Sequence, residues 1–296
     1  MQVPPAGTRV IIRYRLPAGS EPPLTDVIGH LLADYPKLQV RTKHGEIVDV
    51  DPADVVVLKA LPPKTVRTAD IRKLEYAAAL AWPGLERRWV DGWLLRAANG
   101  HTHRGNSAVP LGFDADASAI PTIIDFYAER GLTPWLSLPD RLFRPPERPP
   151  HLETVVMAIE LDGPPEASGV LLAGSPDAEW LRLLQRELPV EVLTAVVDGE
   201  VVFATVPGAG VGRAAVTTAP DGGRWVGLSS VRVDEAARGR GVARRLCTAL
   251  LAWGVESGAT RGYVQVLADN AVALHLYESM GFVPQHRSRY LDARSL

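Results

Sequence analysis

An α+β fold, with a mixed central sheet flanked by helices and a small β-barrel in front of it, is what the sequence predicts. Three observations carry that prediction. Residues 7 to 60 hold only short β-rich runs, helical and strand patterns alternate from residue 66 on, and a strand-turn-helix unit lies late in the chain, at 228 to 256. The 296 residues, 46% of them hydrophobic, suffice for one large core or several smaller ones. A net charge of -2, from 32 basic and 34 acidic residues, supplies no global field for nucleic acid or an anionic membrane. Lysine occurs only at Lys37, Lys43, Lys59, Lys64 and Lys73, so the positive charge is nearly all arginine, which reads as coding bias rather than phosphate recognition. The single cysteine, Cys247, excludes an intramolecular disulfide, and the opening MQVPPAGTRVIIRYR lacks a secretory apolar run. No apolar stretch reaches the roughly 20 residues of a membrane span, so a cytoplasmic chain is expected.

The elements follow in order. TRVIIRYRL, DVIGHLL, LQVRT, EIVDV and DVVVLKAL read as five strands, broken by a Pro/Gly-rich loop at 18 to 24 and a His44-Gly45 turn. They predict a barrel over 1-62 that resembles SH3-like and Tudor-like barrels, with an OB-type barrel as the alternative. Leu61-Pro62-Pro63-Lys64 reads as its exit linker. In 66-150, ADIRKLEYAAALAW and SAIPTIIDFYAERG read as helices, and GWLLRAA, NSAVPLG and WLSL as strands. RLFRPPERPPH, with Pro145, Pro146, Pro149 and Pro150, reads as a linker or exposed loop and marks a boundary before 151-296. From there the pattern is strand ETVVMAIEL, a helix from Asp177, a hairpin of EVLTAVV and EVVFATV around Asp198-Gly199, and a second β-pair around Asp221-Gly222-Gly223. Helix GVARRLCTALLAWGVES, strand GYVQVL, helix NAVALHLYESM and two final strands, FVPQH and SRYLD, complete it.

The chemistry concentrates at the turn Arg238-Gly239-Arg240-Gly241-Val242-Ala243, between strand LSSVRV and an amphipathic helix with Val242, Leu246, Leu250 and Trp253 at apolar spacing. Gly239 and Gly241 permit close backbone approach and a tight turn, and the helix start presents free N-H groups and the positive dipole end. With Arg238, Arg240, Arg244 and Arg245 around it, the turn is an anion site suited to a pyrophosphate. It has neither the G-x-G-x-x-G of a dinucleotide fold nor the G-x-x-x-x-G-K-[ST] of a triphosphate loop.

It does resemble the Q/R-x-x-G-x-G/A signature of the Gcn5-related N-acetyltransferases, through Arg238, Gly241 and Ala243. YVQVLADNAVALHLYESMGF resembles the second half of that superfamily's core, with Asn270 opening a helix, Ala273 and Leu276 on its inner face, then Tyr277 and Gly281-Phe282. The core so implied runs over roughly 170 to 296. The resemblance implies acetyl-CoA as co-substrate and no metal, with Val231, Arg232 and Val233 pairing with the pantetheine arm in a slot splayed open beside GYVQVL. The N-H of Val231 or Val233 would polarise the thioester carbonyl, and the N-H groups of Gly239, Arg240, Gly241, Val242, Ala243 and Arg244 would hold the pyrophosphate. Tyr277 would be the general acid for the leaving thiolate, or else a core plug, and Asn270 would cap its helix or bond the cofactor arm.

The base is not assigned. Ser229 and Ser230 stand where relatives often carry a carboxylate, Glu191, Asp234 and His275 are candidates by sequence proximity, and a water chain to a distant carboxylate is equally compatible. Cys247, Trp180 and Trp253 read as core positions. Tyr127 to Leu132 echoes Tyr277 to Phe282, which suggests that 66-150 is a degenerate partner half shaping the acceptor cleft. The loop Asn99 to Ser107 reads as lining that cleft, with a metal site at His101 and His103 as the lesser alternative. The acceptor is a primary amine, on a protein or a small molecule. Two alternatives remain: a mycothiol-synthase-like small-molecule acyltransferase, or a regulatory module that senses acetyl-CoA. The barrel carries only Tyr14 and Tyr35 as aromatics and no basic stripe, which argues for packing or homodimerisation rather than methyl-lysine or nucleic-acid binding.

Overall fold

The computed structural model describes residues 3-5, 7-42, 46-61, 66-165 and 168-296. The expected His44-Gly45 turn and most of the linker, Pro62 to Lys64, lie outside the described residues. The chain divides into two compact units, Met1–Thr65 and Val66–Leu296.

In the first unit, β1 (Arg9–Arg15), β2 (Leu24–Ala33), β3 (Leu38–Thr42), β4 (Ile47–Val50) and β5 (Val55–Ala60) match the five expected strands. They form one antiparallel sheet in the order β4-β3-β2-β1-β5. The sheet curls around Val10, Ile12, Leu31, Leu38, Val40 and Val50 without a β4-β5 ladder, so it is barrel-like but not closed.

In the second unit, α1 (Thr68–Ala81) is alanine-rich and stops where Trp82 leaves the helical region before Pro83. It leads into β6 (Glu86–Val90), β7 (Trp93–Ala97) and β8 (Ser107–Pro110), then α2 (Ile120–Ala128) and β9 (Trp135–Pro139). The proline-rich stretch follows as an irregular connection to β10 (Leu152–Glu160) and β11 (Leu171–Ala173). After α3 (Ala178–Leu184) and α4 (Val190–Thr194) come β12 (Glu200–Val206), β13 (Gly210–Thr218), β14 (Arg224–Val233) and α5 (Val242–Glu256). β15 (Arg261–Leu267), α6 (Ala271–Ser279) and β16 (Val283–Asp292) end the chain. No helix among the described residues is long and apolar enough to cross a membrane.

Three local expectations need correction, and one strand goes beyond them. EVLTAVV is not a strand: it starts as α4, whose Val192 and Leu193 pack with Trp180 and Phe203, and Asp198-Gly199 only redirects the chain into β12. The hairpin partner of β12 is β13, across Gly208. The two final strands are one, β16, with an irregularity opposite Val156/Met157. ERRWV, given no structure from sequence, is β6, joined to β7 by Asp91-Gly92, whose φ values of 41° and 78° suit a tight hairpin turn.

All strands of this unit share one sheet of eleven, in the order β11-β12-β13-β14-β15-β10-β16-β9-β8-β7-β6. Its pairing order repeats. β6, β7 and β8 are antiparallel neighbours and β8 returns through α2 to a parallel β9; β12, β13 and β14 are antiparallel neighbours and β14 returns through α5 to a parallel β15. By this order α2 corresponds to α5, so the echo between Tyr127 and Tyr277 joins elements that occupy different places in the two halves. β10, the strand that ends the first half, pairs with β15, and β16, which ends the second, pairs with β9 as well as with β10. One face of the second half carries α5 and Tyr277 of α6, packed on Val226, Leu228, Val264 and Val266. The other face carries α1, whose Leu74, Ala77 and Ala78 lie on Val156, Trp225 and Tyr263, and α3 with α4.

Candidate active site

The glycine-arginine turn forms as its residue types require. Asp234 accepts from Ala236 N-H and starts a 3-10 turn, and Gly239 and Gly241 both adopt φ 73°, with open space where a Cβ would stand. Gly241 is the N-cap of α5, and the first backbone bond of that helix runs from Arg245 N-H to Gly241 C=O. No backbone or side-chain acceptor among the described residues meets the N-H groups from Gly239 to Arg244, so they form a continuous run of free donors. Arg238 lies 3.4 Å from Glu235, Arg244 reaches Ser279 Oγ at 2.6 Å, and Arg245 donates to Gly169 C=O. The turn is exposed, electropositive and rich in donors, which is the chemistry of a phosphate site.

Beside the turn the sheet opens. The β14-β15 ladder runs from Trp225↔Arg261 to Leu228↔Val264 and stops, although both strands continue. Ser230 has φ 53°, and on β13 the register skips Gly212 between Val211↔Arg232 and Arg213↔Ser229, so two β14 residues oppose one across a bulge. The bulge turns the edge at Val231, Arg232 and Val233 away from β15 and leaves it without a strand partner on that side.

Asn270 caps α6, its Oδ1 accepting from Ala273 N-H at 3.1 Å. Ala273 and Leu274, rather than Leu276, pack on the core. Tyr277 is 7% exposed, edge-on to Phe282, with its phenol within hydrogen-bonding reach of the Cys247 thiol. Burial, with the Cys247 neighbour adding to it, drives the phenol well above its ordinary value, and burial pushes the thiol up to about 12. Tyr277 is thus a proton holder at any physiological pH, and Cys247 an inert thiol. Trp180 is buried, donating to Gly212 C=O, and Trp253 is half-buried against the core.

The face of the slot opposite α5 is polar. Arg213, 1% exposed, ties the ends of two helices together: it donates to Ala81 C=O, Leu193 C=O and Ala195 C=O, and to Ser229 Oγ at 3.3 Å. Its guanidinium also lies 4.5 Å over Trp82. The carbonyl ends of α1 and α4 offset a charge that has no carboxylate partner among the described residues. Arg96 in the first half bonds Ser107 Oγ at 3.0 Å, so each half carries an arginine on its second strand bonded to a serine on its third. Sequence proximity misses the carboxylate of this face. Glu75 of α1 is the one buried acid among the described residues, whereas Glu191 and His275 are exposed and Asp234 is occupied as a cap. The loop Asn99 to Ser107 is held by Asn106, and its His103 meets His151, not His101. No group of three or more metal-ligating residues occurs among the described residues. A surface hollow of about 420 Å³ at the β11-β12 edge has Glu200 as its sole ionisable group and does not adjoin this machinery.

Comparison with known proteins decides the family. A family model described as "Probable histone acetyltransferase Rv0428c C-terminal" matches residues 68–291, and one described as "Rv0428c N-terminal Sm-like domain" matches 4–59. The chain belongs to the Rv0428c acetyltransferase family. It is 51% identical over 296 residues to the probable histone acetyltransferase Rv0428c of Mycobacterium tuberculosis, across 99% of this chain and 97% of that protein. It is also 24% identical over 262 residues to the uncharacterized N-acetyltransferase YobR of Bacillus subtilis, across 75% of this chain and 98% of that one. The fold matches a Gcn5-related N-acetyltransferase from Kribbella flavida with TM-score 0.54 at 16% identity, over 74% of this chain and 94% of the other. The chain is therefore an acetyltransferase of the Gcn5-related fold, and its N-terminal unit is Sm-like, close to the expected SH3-like and Tudor-like pattern. Enzymes of this fold use acetyl-CoA as co-substrate.

The first half of the Rv0428c-type unit departs from the second at the place of the glycine-arginine turn. Arg72 of α1 donates to Leu111 C=O and Gly112 C=O, both at 2.7 Å, and so occupies the chain end leaving β8. The connection to α2 carries Asp114 and Asp116 where the second half carries arginines, and hydrogen bonds from Ser118 hold the Asp116 carboxyl below its ordinary range. A fixed carboxylate there repels a pyrophosphate. Equilibrium dialysis with CoA is expected to give one CoA bound per chain, not two.

Proposed function

We propose that the chain transfers the acetyl group of acetyl-CoA to a primary amine by direct attack in a ternary complex. The observation that carries this reading is the junction of two features: free N-H groups from Gly239 to Arg244, and a strand edge at Val231 to Val233 that opens directly beside them. The donor run holds the pyrophosphate, helped by Arg238 and Arg240, and the strand edge pairs with the pantetheine arm. Val231 or Val233 N-H faces the thioester carbonyl and stabilises negative charge on its oxygen as the amine attacks. Residues 66-150, continued by β10, form the acceptor-side half, with the loop Asn99 to Ser107 at its rim. The relative's name favours a protein lysine as the amine.

Tyr277 faces the leaving sulfur in this reading. A phenol held well above its ordinary value is a weaker acid than a thiol of pKa about 8.5, so full proton transfer to the thiolate runs uphill and the hydroxyl acts mainly as a hydrogen-bond donor. Tyr277→Phe is expected to lower kcat about tenfold, equivalent to about 1.4 kcal/mol of transition-state stabilisation, while the CoA dissociation constant stays within about twofold. Thiol release with acetyl-CoA and core histones, lysine or spermidine tests the function itself. CoA binding without thiol release for any of them would refute it.

A further inference from the structure

We propose that Glu75 is the proton acceptor for the incoming ammonium, aimed by His286 and Gln265; this rests on the acetyl-transfer reading above. Val156 pairs with Gln265 on one side and with His286 on the other, so these residues form one row across β15, β10 and β16. Glu75 sits over that row. Its Oε1 accepts from His286 Nε2 at 2.8 Å and from Gln265 Nε2 at 3.2 Å, while Oε2 has no partner among the described residues. Gln265 is the first β15 residue beyond the last rung of the β14-β15 ladder, so the carboxyl is fastened to the lip of the slot.

The face is the right one. α1 covers Trp225 and Tyr263, and Tyr263 lies flat against Gly227, where a Cβ would stand 2.1 Å from its hydroxyl. Gly227 and Ser229 therefore share the α1 face, opposite the face on which α5 packs against Val226 and Leu228. An amine reaching the thioester from the side away from α5 meets Ser229, held by Arg213, and then Glu75. The charged and titratable groups that face Glu75 are His286 from β16, Tyr263 from β15 and the Arg96 guanidinium from β7. His286 Nδ1 is engaged by the Gln285 side chain at 2.8 Å, so the imidazole is held at both nitrogens and presents Nε2 to Oε1. Both hydrogen bonds fall on Oε1, and Oε2, without a partner among the described residues and not fully shut off from solvent, is the free acceptor of this carboxyl.

The step balances simply. The carboxylate takes one proton from the alkylammonium, directly or through one water, and leaves a neutral amine. The nitrogen lone pair forms the N-C bond to the acetyl carbon, the C-S bond breaks, and its electron pair leaves on the CoA sulfur. The second nitrogen proton offsets the thiolate charge, and Glu75 returns its own proton to solvent.

The test is the pH dependence of kcat/KM for acetyl-CoA with core histones, in wild type, Glu75→Gln and His286→Phe, with CoA affinity and thermal melting measured in parallel. Glu75→Gln is expected to keep CoA affinity and to lose about 100-fold or more in kcat, and the rise of the rate with pH on the acid side should disappear. His286→Phe removes a donor to the charged carboxylate, so that rise should persist but move to higher pH. A merely structural Glu75 would lower the melting temperature of both variants and leave the acid-side rise in place, and that result overturns the proposal. If Glu75→Gln fails to fold, an unmoved profile in His286→Phe overturns it equally. A wild type that binds CoA but releases no thiol would instead overturn the acetyl-transfer reading, and this proposal with it.

Discussion

Gly241→Asp is expected to raise the CoA dissociation constant by about 100-fold or more, equivalent to roughly 2.7 kcal/mol, while the melting temperature changes little. Gly241 has φ 73° and nothing within 4 Å of the place a Cβ would take, so the fold has room for a side chain there. Aspartate tolerates the left-handed region better than most residues, which keeps the backbone cost small. Its carboxylate, however, would stand at the mouth of the N-H run from Gly239 to Arg244, satisfying some donors itself and repelling the pyrophosphate. Gly241→Asn carries the same backbone conformation without the charge. Titration of CoA into both variants separates the two causes: Asn should lose far less affinity than Asp, and equal losses would mean that shape, not charge, governs the turn.

Gly254→Leu is expected to lower the melting temperature of the Val66–Leu296 unit by about 6 to 12 °C, from an overpacking cost of about 3 kcal/mol or more. Gly254 is a point where α5 lies against the sheet without a side chain between them: a Cβ there would sit 2.6 Å from Val226 Cβ, an atom fixed to its strand with no rotamer to escape into. Val226 is fully buried and Leu250 and Leu251 flank the contact. The helix must lift, and because α5 begins at the turn proposed to hold the pyrophosphate, CoA affinity should fall along with stability. Differential scanning calorimetry with and without CoA reads both effects.

Legibility in the sequence followed the distance between partners. The turn at 238 to 243, the cap at Asn270 and the helix ending near Tyr277 each depend on neighbours within a few residues, and each could be placed from local pattern. EVLTAVV failed because a short apolar run with valines fits strand and helix alike, and burial beside Trp180 and Phe203 decided for the helix. Asp91-Gly92 and Asp198-Gly199 are the same dipeptide, yet only the first joins paired strands, because only there do two extended runs flank the turn at equal length. Glu75 could not be found at all by proximity, since Gln265 and His286 lie 190 and 211 residues away along the chain. It reads as an ordinary helix residue until the sheet order brings β15, β10 and β16 side by side beneath it. Likewise nothing in Arg213 announces that it joins Ala81 to Leu193 and Ala195.

The crossed placement of β10 and β16 bears on how the enzyme could adapt to different acceptors. Because β10 belongs by connection to one half and lies between β15 and β16 of the other, any opening along the middle of the sheet would have to break a ladder seven pairs long on β15 or a comparable one on β16. The middle of the sheet is thus stitched on both sides of β10. On the proposed reading, in which the segment from Asn99 to Ser107 rims the acceptor cleft, exchanging this segment between relatives is the route to altering selectivity without disturbing the sheet below.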